Sequence, residues 1–518
     1  MPIAVTDLDR LRRFLSHGSD TGVLIIGNAK PTKEDLSSID RLISEGKGEE
    51  IVREVVRYAL ECRFVLKTNI LFALAYCYKA KDNSTKTAAS KAFPNICKHP
   101  IDLFYFLEYA KKMSDQHKGW GRSLRNLVSS WYNGIEPKEL VEFVTRYKSC
   151  CRWSHVDVIR LGHVHPLKDE TAIIIRYVMK GLTEATQLAE GKDSKQIKEI
   201  LKYLKGVDQV KQSINEHEIG VQIRQLNLKQ EHIPTKLQKS VEVWQALIPN
   251  LTIKEILSNI VKLASLGILK SDNYILPDIL DRLTNEQVIK DSGVSPMKVL
   301  IALRNYEQGK GKIKWQRNES VANALNLTFS HAIKNNISVT NKRLLIAVKI
   351  GHGLPQHSVY GTPALSSMIA AAGLATIYIQ SEDSCSLVFF STTVIPVAIK
   401  SQMKVENICE GLAKAALPEI PVMACDVSAP IRWATDNKKS YDAIIILTDS
   451  KDSTGTVTPH SALLQYRKDL NLPNTKLIIC GMTSRKMEYA DSNDLGMLDI
   501  AGFDSTVPDI ISNFVLDV

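Results

Sequence analysis

The apolar residues of this chain change rhythm near residue 340. Before that point they recur every three to four positions, and after it they gather into short runs separated by amphipathic stretches. One layer architecture cannot serve both rhythms, so the pattern predicts a helical part, residues 1–340, and an α/β part, residues 341–518. In the first part "EEIVREVVRYALECRF" (49–64) sets Ile51, Val52, Val55, Val56 and Ala59 along one helical stripe. "NILFALAYCYKA" (69–80), "IDLFYFLEYAKKM" (101–113), "KELVEFVTRYK" (138–148), "DSKQIKEILKYLKGV" (193–207), "SVEVWQALIPN" (240–250) and "IKEILSNIVKLASLG" (253–267) continue the pattern. Helix pairs repeating at roughly 35 to 45 residues suggest an α-solenoid, although no residue-level repeat signature accompanies them. In the second part "LLIAV" (344–348), "CSLVFF" (385–390), "DAIIILT" (442–448) and "KLIICGM" (476–482) alternate with "SSMIAAAGLATIYIQ" (366–380), "VENICEGLAKAAL" (405–417) and "HSALLQYRKDL" (460–470). That order predicts a mostly parallel, doubly wound sheet with helices on both faces.

Charge follows the same division. The net charge of +10 resolves into 51 Lys and Arg against 38 Asp and Glu up to residue 340, and 15 against 18 beyond it. A basic surface confined to the helical part fits a polyanionic partner or, equally on charge alone, a solvated lysine-rich surface. The nine cysteines are scattered, with no CxxC and with Cys150 and Cys151 merely adjacent, which excludes a zinc ribbon and fits a reducing compartment. The first residues, "MPIAVTDLDRLRRF", lack the apolar core of a signal peptide, and no run of 18 apolar residues exists. These features predict a soluble cytoplasmic protein without a membrane partner, with the nucleus left open.

The densest chemistry lies between residues 111 and 165, with ten Lys and Arg, five Asp and Glu, four of the twelve histidines and three of the six tryptophans. "GWGRSLRNLVSSWY" (119–132) sets Arg122 and Arg125 three apart beside Trp120. "TRYKSCCRWSHVDVIRLGHVHP" (145–166) adds Arg146, Lys148, Arg152, His155, Arg160 and His163. Guanidinium forks pair with phosphate oxygens, and exposed imidazole or indole rings stack on unpaired bases. Trp120 and Trp153 are the stacking candidates, with an anchor between helices as the alternative for each. His163 and His165 form a histidine pair without a third nearby ligand. No GxSxG elbow, HExxH or Walker loop occurs, so nothing points to a catalytic centre or a cofactor.

Together "STKTAASKAF" (84–93), "GWGRSLRNLVSSWY", "RWSHVDVIRLGHVHP" (152–166), "GKIKWQ" (311–316), "ILTDSKDSTGTVTPHSALLQYRKDL", "LIICGMTS" and "DLGMLDIAGFD" (494–504) resemble the 60-kDa Ro ribonucleoprotein family, in collinear order over nearly the whole chain. The resemblance implies a closed ring of HEAT-like helical repeats (the TROVE module) followed by a von Willebrand factor A domain, working noncatalytically and as a monomer. It implies binding of small noncoding Y RNAs on the outer surface and of single-stranded 3′ ends of defective noncoding RNAs in the central hole, with a protein partner for the A domain a further option. The alternative is an α-solenoid protein scaffold whose RNA binding has lapsed. By position, the family's RNA contacts fall on the segment from Trp153 to His163. Val156 stands where the family has a lysine, and Asn126 where its members often carry a basic residue.

The resemblance also bears on "KRLLIAVKIGHGLPQ" (342–356), whose apolar strand ends in a lysine and two glycines. An A-domain metal site needs Asp-x-Ser-x-Ser after the first strand, a loop threonine and a later aspartate, the all-oxygen set that hard divalent cations require. Here those positions are Lys349, Gly351 and Gly353, then Cys425 beside Asp426, then Asp449. The expectation is a degenerate site, with a Lys349–Asp449 ion pair standing where the metal stood.

Overall fold

The computed structural model describes residues 2–27, 31–61, 66–114, 119–309, 314–351, 357–400, 402–416, 425–449 and 453–517. The described residues up to 336 form helices and short 3-10 turns with only minor strands, and Glu319–Asn336 is the last helix before the sheet. Within the described residues, each periodic stretch named above is mainly helical or, in the second part, a strand where the runs are apolar, while 62–64 and 417 lie outside those residues. Eleven strands occur among the described residues: β1 (Val23–Ile25), β2 (Ser149–Cys150), β3 (Trp153–Ser154), β4 (Leu344–Lys349), β5 (Ser358–Val359), β6 (Thr362–Ser366), β7 (Cys385–Phe390), β8 (Val394–Val397), β9 (Ala443–Thr448), β10 (Lys476–Gly481) and β11 (Met497–Ala501).

Seven of them build one sheet in the order β1-β11-β10-β9-β4-β7-β8, parallel except for β8, which runs antiparallel to β7. β4, β9, β10 and β11 are buried along their whole length, as strands covered on both faces must be. Alternate residues feed two cores. Leu345 and Ala347 point to the helices Ala429–Asp436 and Pro459–Asp469 through Ile431, Ala434, Leu463 and Tyr466. Leu344, Ile346 and Val348 belong to a core that also contains Met297, Leu300 and Leu303 of the helical part. Gly373, on Ser367–Ser381, makes that junction close. A Cβ there would meet Leu300 Cδ2 at 2.4 Å and Met297 Cε at 3.3 Å.

The N-terminal segment is the feature that no periodicity announces. β1 lies parallel to β11, with Val23 opposite Asp499 and Ile25 opposite Ala501, so a strand from the start of the helical part completes the sheet of the second part. Arg13, buried on the helix Asp7–His17, donates to the carbonyls of Ser492 at 2.7 Å and Asp494 at 2.5 Å. Asp494 in turn accepts from Ile3 N at 3.2 Å and from Arg467 Nη2 at 3.2 Å, and the Arg467–Asp494 pair has no solvent exposure. Both ends of the helical array therefore meet the α/β part, and the chain closes a circuit on itself. Among the described residues, no helix is long and apolar enough to cross a membrane.

Candidate nucleic-acid interface

The segment from residue 149 to 163 is assembled by local rules. β2 and β3 form a hairpin, Cys150 opposite Trp153, whose two turn residues, Cys151 and Arg152, have φ of 52° and 69°. Positive φ at both positions is what a tight two-residue hairpin turn requires. Ser154 then caps the helix His155–Gly162. Its hydroxyl accepts from Asp157 N at 3.2 Å, while the Asp157 carboxylate accepts from Ser154 N at 3.2 Å. Gly162 is needed for packing, because a Cβ there would meet Val128 Cγ1 at 2.9 Å on the helix Arg122–Gly134. The helix ends with His163 in the left-handed region at φ 47°, and Val164 N donates to the Ile159 carbonyl at 3.2 Å. Asn133 then clamps the following loop, donating to the His165 carbonyl at 3.0 Å and accepting from Leu167 N at 2.8 Å.

This scaffold sorts the candidate residues into two groups. Arg122, Arg125, Lys148, Arg152, Arg160 and His163 are exposed, and among the described residues none of them has a carboxylate partner. Arg160 sits in the last helical turn and His163 in the cap beyond it, so the pair is exposed without sharing a continuous helical face. Arg122 and Arg125 occupy the first turn of their helix, where no acid accompanies them. Cations at the positive end of a helix dipole are unfavourable, and the free N–H groups there suit an anion.

The other group corrects the reading from residue type. His155 is 2% exposed, its Nδ1 is 2.7 Å from the Tyr132 hydroxyl, and its ring stands edge-on to Phe104. Burial pushes its imidazole down to about 3, so it is a neutral core residue rather than an RNA contact. Trp153 is buried too, 5.5 Å from the half-buried Trp120 between ring centroids, and Lys111 Nζ lies 5.3 Å from its ring. Trp153 is thus an anchor and only Trp120 offers a partly accessible face. Arg146 is committed to three carboxylates, Glu231 at 2.9 Å, Glu255 at 3.2 Å and Glu142 at 3.6 Å. Burial is the largest single influence and opposes its charge, but the Glu231 hydrogen bond and the charges of Glu231 and Glu255 together raise its pKa. A lone charge and a charge in a network are indistinguishable in sequence. Residue reasoning also missed Lys79, which joins Lys111, Lys112, Arg152, Trp120 and Leu161 around a depression of about 740 Å³. Lys79 lies on Lys67–Lys79, which packs against Pro100–Lys112, and nothing local signals that meeting.

At the end of β4 the geometry is of the opposite kind. Lys349 Nζ lies 2.6 Å from Asp449 Oδ1, with the two side chains 8% and 9% exposed, and His357 Nδ1 is 3.5 Å from Asp449 Oδ2. Gly351 offers no side-chain oxygen, and Gly353 lies outside the described residues. Cys425 is buried, and burial pushes its thiol up to about 11, so it stays protonated. Asp426 is taken up by Ser428 and Arg432. An ammonium on Asp449 and a buried thiol at Cys425 do not fit a hard divalent cation, which takes oxygen donors.

A helical array whose two ends meet an A-type α/β domain, and whose exposed cations lack carboxylate partners among the described residues, defines the class of protein. Comparison with known families specifies it further. The TROVE domain model matches residues 1–336 and the Ro60 vWA domain model residues 343–515. The chain belongs to the Ro60 family. It is 27% identical to the RNA-binding protein RO60 of Caenorhabditis elegans, over 99% of this chain and 88% of that one. It is 26% identical to the RNA-binding protein RO60 of Deinococcus radiodurans, over 98% and 93%. The crystal structure of the Deinococcus radiodurans RO (RSR) protein superposes with a TM-score of 0.87 at 24% identity, covering 99% of this chain and all of that one, which establishes a shared fold.

Proposed function

We propose that this protein binds RNA through the exposed cations of residues 122–163 and acts as a noncatalytic scaffold in small ribonucleoprotein particles. The observation that carries the reading is the contrast within one belt. Arg146 is neutralised by three glutamates, whereas among the described residues Arg122, Arg125, Lys148, Arg152, Arg160 and His163 have no carboxylate partner on a pre-formed surface of helices and hairpin. Unpaired arginines at a helix N-terminus are stabilised by an anion, and phosphate is the anion their forks match. The names of the relatives as RNA-binding proteins support the same reading. Small noncoding RNA of the Y type and single-stranded RNA 3′ ends are the ligands we assign, with cytoplasmic RNA quality control or particle storage as the setting. Val156 and Asn126 remove two cations from the surface, so we expect weaker Y RNA binding than in relatives that keep them. The helical module is assigned to residues 1–340 and the A domain to 341–518, the latter holding any protein partner without a bridging metal.

Titration of a small structured RNA at increasing salt tests the reading. Each neutralised phosphate contributes a log–log slope of about 0.7 to 0.9, so affinity should fall about tenfold or more between low and physiological salt. A flat response would mean that the surface does not engage a polyanion.

A further inference from the structure

The turn that presents Arg152 contains two adjacent thiols. Cys150 ends β2 and Cys151 is the first turn residue, and the left-handed conformation of Cys151 brings both side chains to one side, with Sγ 3.5 Å from Sγ. Both are half-buried and unbridged, as are the separate Cys385 and Cys409, whereas Cys77, Cys97, Cys425 and Cys480 are fully buried. We propose that Cys150 and Cys151 are a modification site, a vicinal dithiol that a peroxide oxidises to a cyclic disulfide, reversibly reshaping the hairpin that carries Lys148 and Arg152.

The step balances with hydrogen peroxide as the oxidant. The Cys151 thiolate attacks one peroxide oxygen, the O–O bond breaks, and the departing hydroxide takes a proton to leave as water. The Cys150 sulfur then attacks the resulting sulfenic sulfur, the S–O bond breaks, and a second water leaves with the Cys150 proton. Two thiols and one peroxide become one disulfide and two waters. The roles follow from the surroundings. Cys150 packs against the helical core, where burial and its contact with Cys151 disfavour its thiolate, so it is the resolving partner.

The consequence for the hairpin is geometric. Adjacent Cα atoms lie about 3.8 Å apart across a trans peptide, below the usual range of about 4.4–6.8 Å for disulfides. Closing the ring must therefore twist the Cys150–Cys151 backbone, which is the first half of the turn whose second half is Arg152. Such strain also makes the bond easy to reduce, as a reversible mark requires.

The test uses the full chain treated with hydrogen peroxide, alkylated under denaturing conditions and mapped by peptide mass. The peptide containing both cysteines should lose two hydrogens and take no alkyl label, and dithiothreitol should restore two labelled thiols. In Cys150→Ser the oxidation should stop at a sulfenic acid on Cys151, trapped by dimedone. A peptide that keeps two labelled thiols while other cysteines oxidise, or that links only to a second chain, overturns the proposal. The effect on RNA rests on the binding assigned above. Oxidation should change small-RNA affinity at least threefold in the native chain and not in the Cys150→Ser/Cys151→Ser variant. If the disulfide forms and affinity is unchanged, the hairpin is not reshaped and that part of the proposal fails. If neither redox state binds RNA, the RNA reading fails while the dithiol stands.

Discussion

The ends of two short strands, one in each half of the molecule, use the same residue types in opposite ways. Around β3 the hairpin and the helices Arg122–Gly134 and His155–Gly162 with its cap hold five Arg and Lys side chains and a histidine in solvent, none of them paired with a carboxylate among the described residues. At the end of β4 a single lysine is buried against a single aspartate, and both are withdrawn from solvent. The first arrangement leaves positive charge uncompensated and therefore available to a ligand. The second consumes it internally, and removing either partner would strand a charge in a low-dielectric site. Exposure and pairing, rather than the presence of a cation, separate a binding surface from a structural contact. Arg146 makes the same point inside the belt, where its three glutamates set it with Lys349 and not with Arg160.

The sharpest way to break this contrast is to exchange consequences between the two places. Lys349→Met should destabilise the protein by about 3 kcal/mol or more, because Asp449 is left buried with only the more distant His357. RNA affinity of the folded fraction should not change. Denaturant melts and RNA titration on the same sample separate the two, and neither EDTA nor Mg²⁺ should move the melt of the native chain. At the belt the pattern should invert. Arg160→Ala with His163→Ser should cost roughly 2 to 4 kcal/mol of RNA binding with little loss of stability, since both side chains are exposed. Equal losses in melting and binding would put these residues in the core instead.

The smallest effect concerns the buried histidine between them. His155 is held near 3 in the folded protein against about 6.5 in an unfolded chain. Protons therefore bind the unfolded state preferentially below pH 6.5, and the contribution of His155 is complete above that pH and lost as pH falls toward 3. Between pH 6.5 and 5 the loss is about 2 kcal/mol. His17 and His232, both pushed down to about 4 by burial, act in the same direction. Asp499, raised to about 6 by burial, acts against them, because its protonated form is favoured in the folded state. His155→Phe should flatten the pH dependence of stability by that 2 kcal/mol, whatever it does to the plateau. An unchanged slope would show that this imidazole is not buried.

What could be read in the sequence follows from the range of the interaction. Helices and central strands are local patterns of apolar spacing, and the Lys349–Asp449 pair was legible because two family positions with complementary charges face each other across adjacent strands. Residue type and the family resemblance single out Arg160 and His163, and the helix end that exposes them depends on neighbours in sequence, Ser154, Asp157 and Gly162. His155 and Trp153 could not be sorted from them, since their burial depends on Tyr132, Phe104 and Trp120, which arrive from other helices. β1 has three residues, too few for any periodicity, and its partner lies near the other end of the chain.

That last pairing has a meaning for the protein's synthesis. Val23 to Ile25 are made some 470 residues before Met497 to Ala501, the strand they pair with in the sheet among the described residues. At about 5–20 residues per second the first strand waits roughly 25 to 95 seconds for its place. The sheet edge at β11, a row of open hydrogen-bonding groups, is thus covered by a segment made long before it. A newborn molecule whose leading segment is lost or captured elsewhere in that interval would keep that edge open, and its hazard would be aggregation before any question of RNA arises.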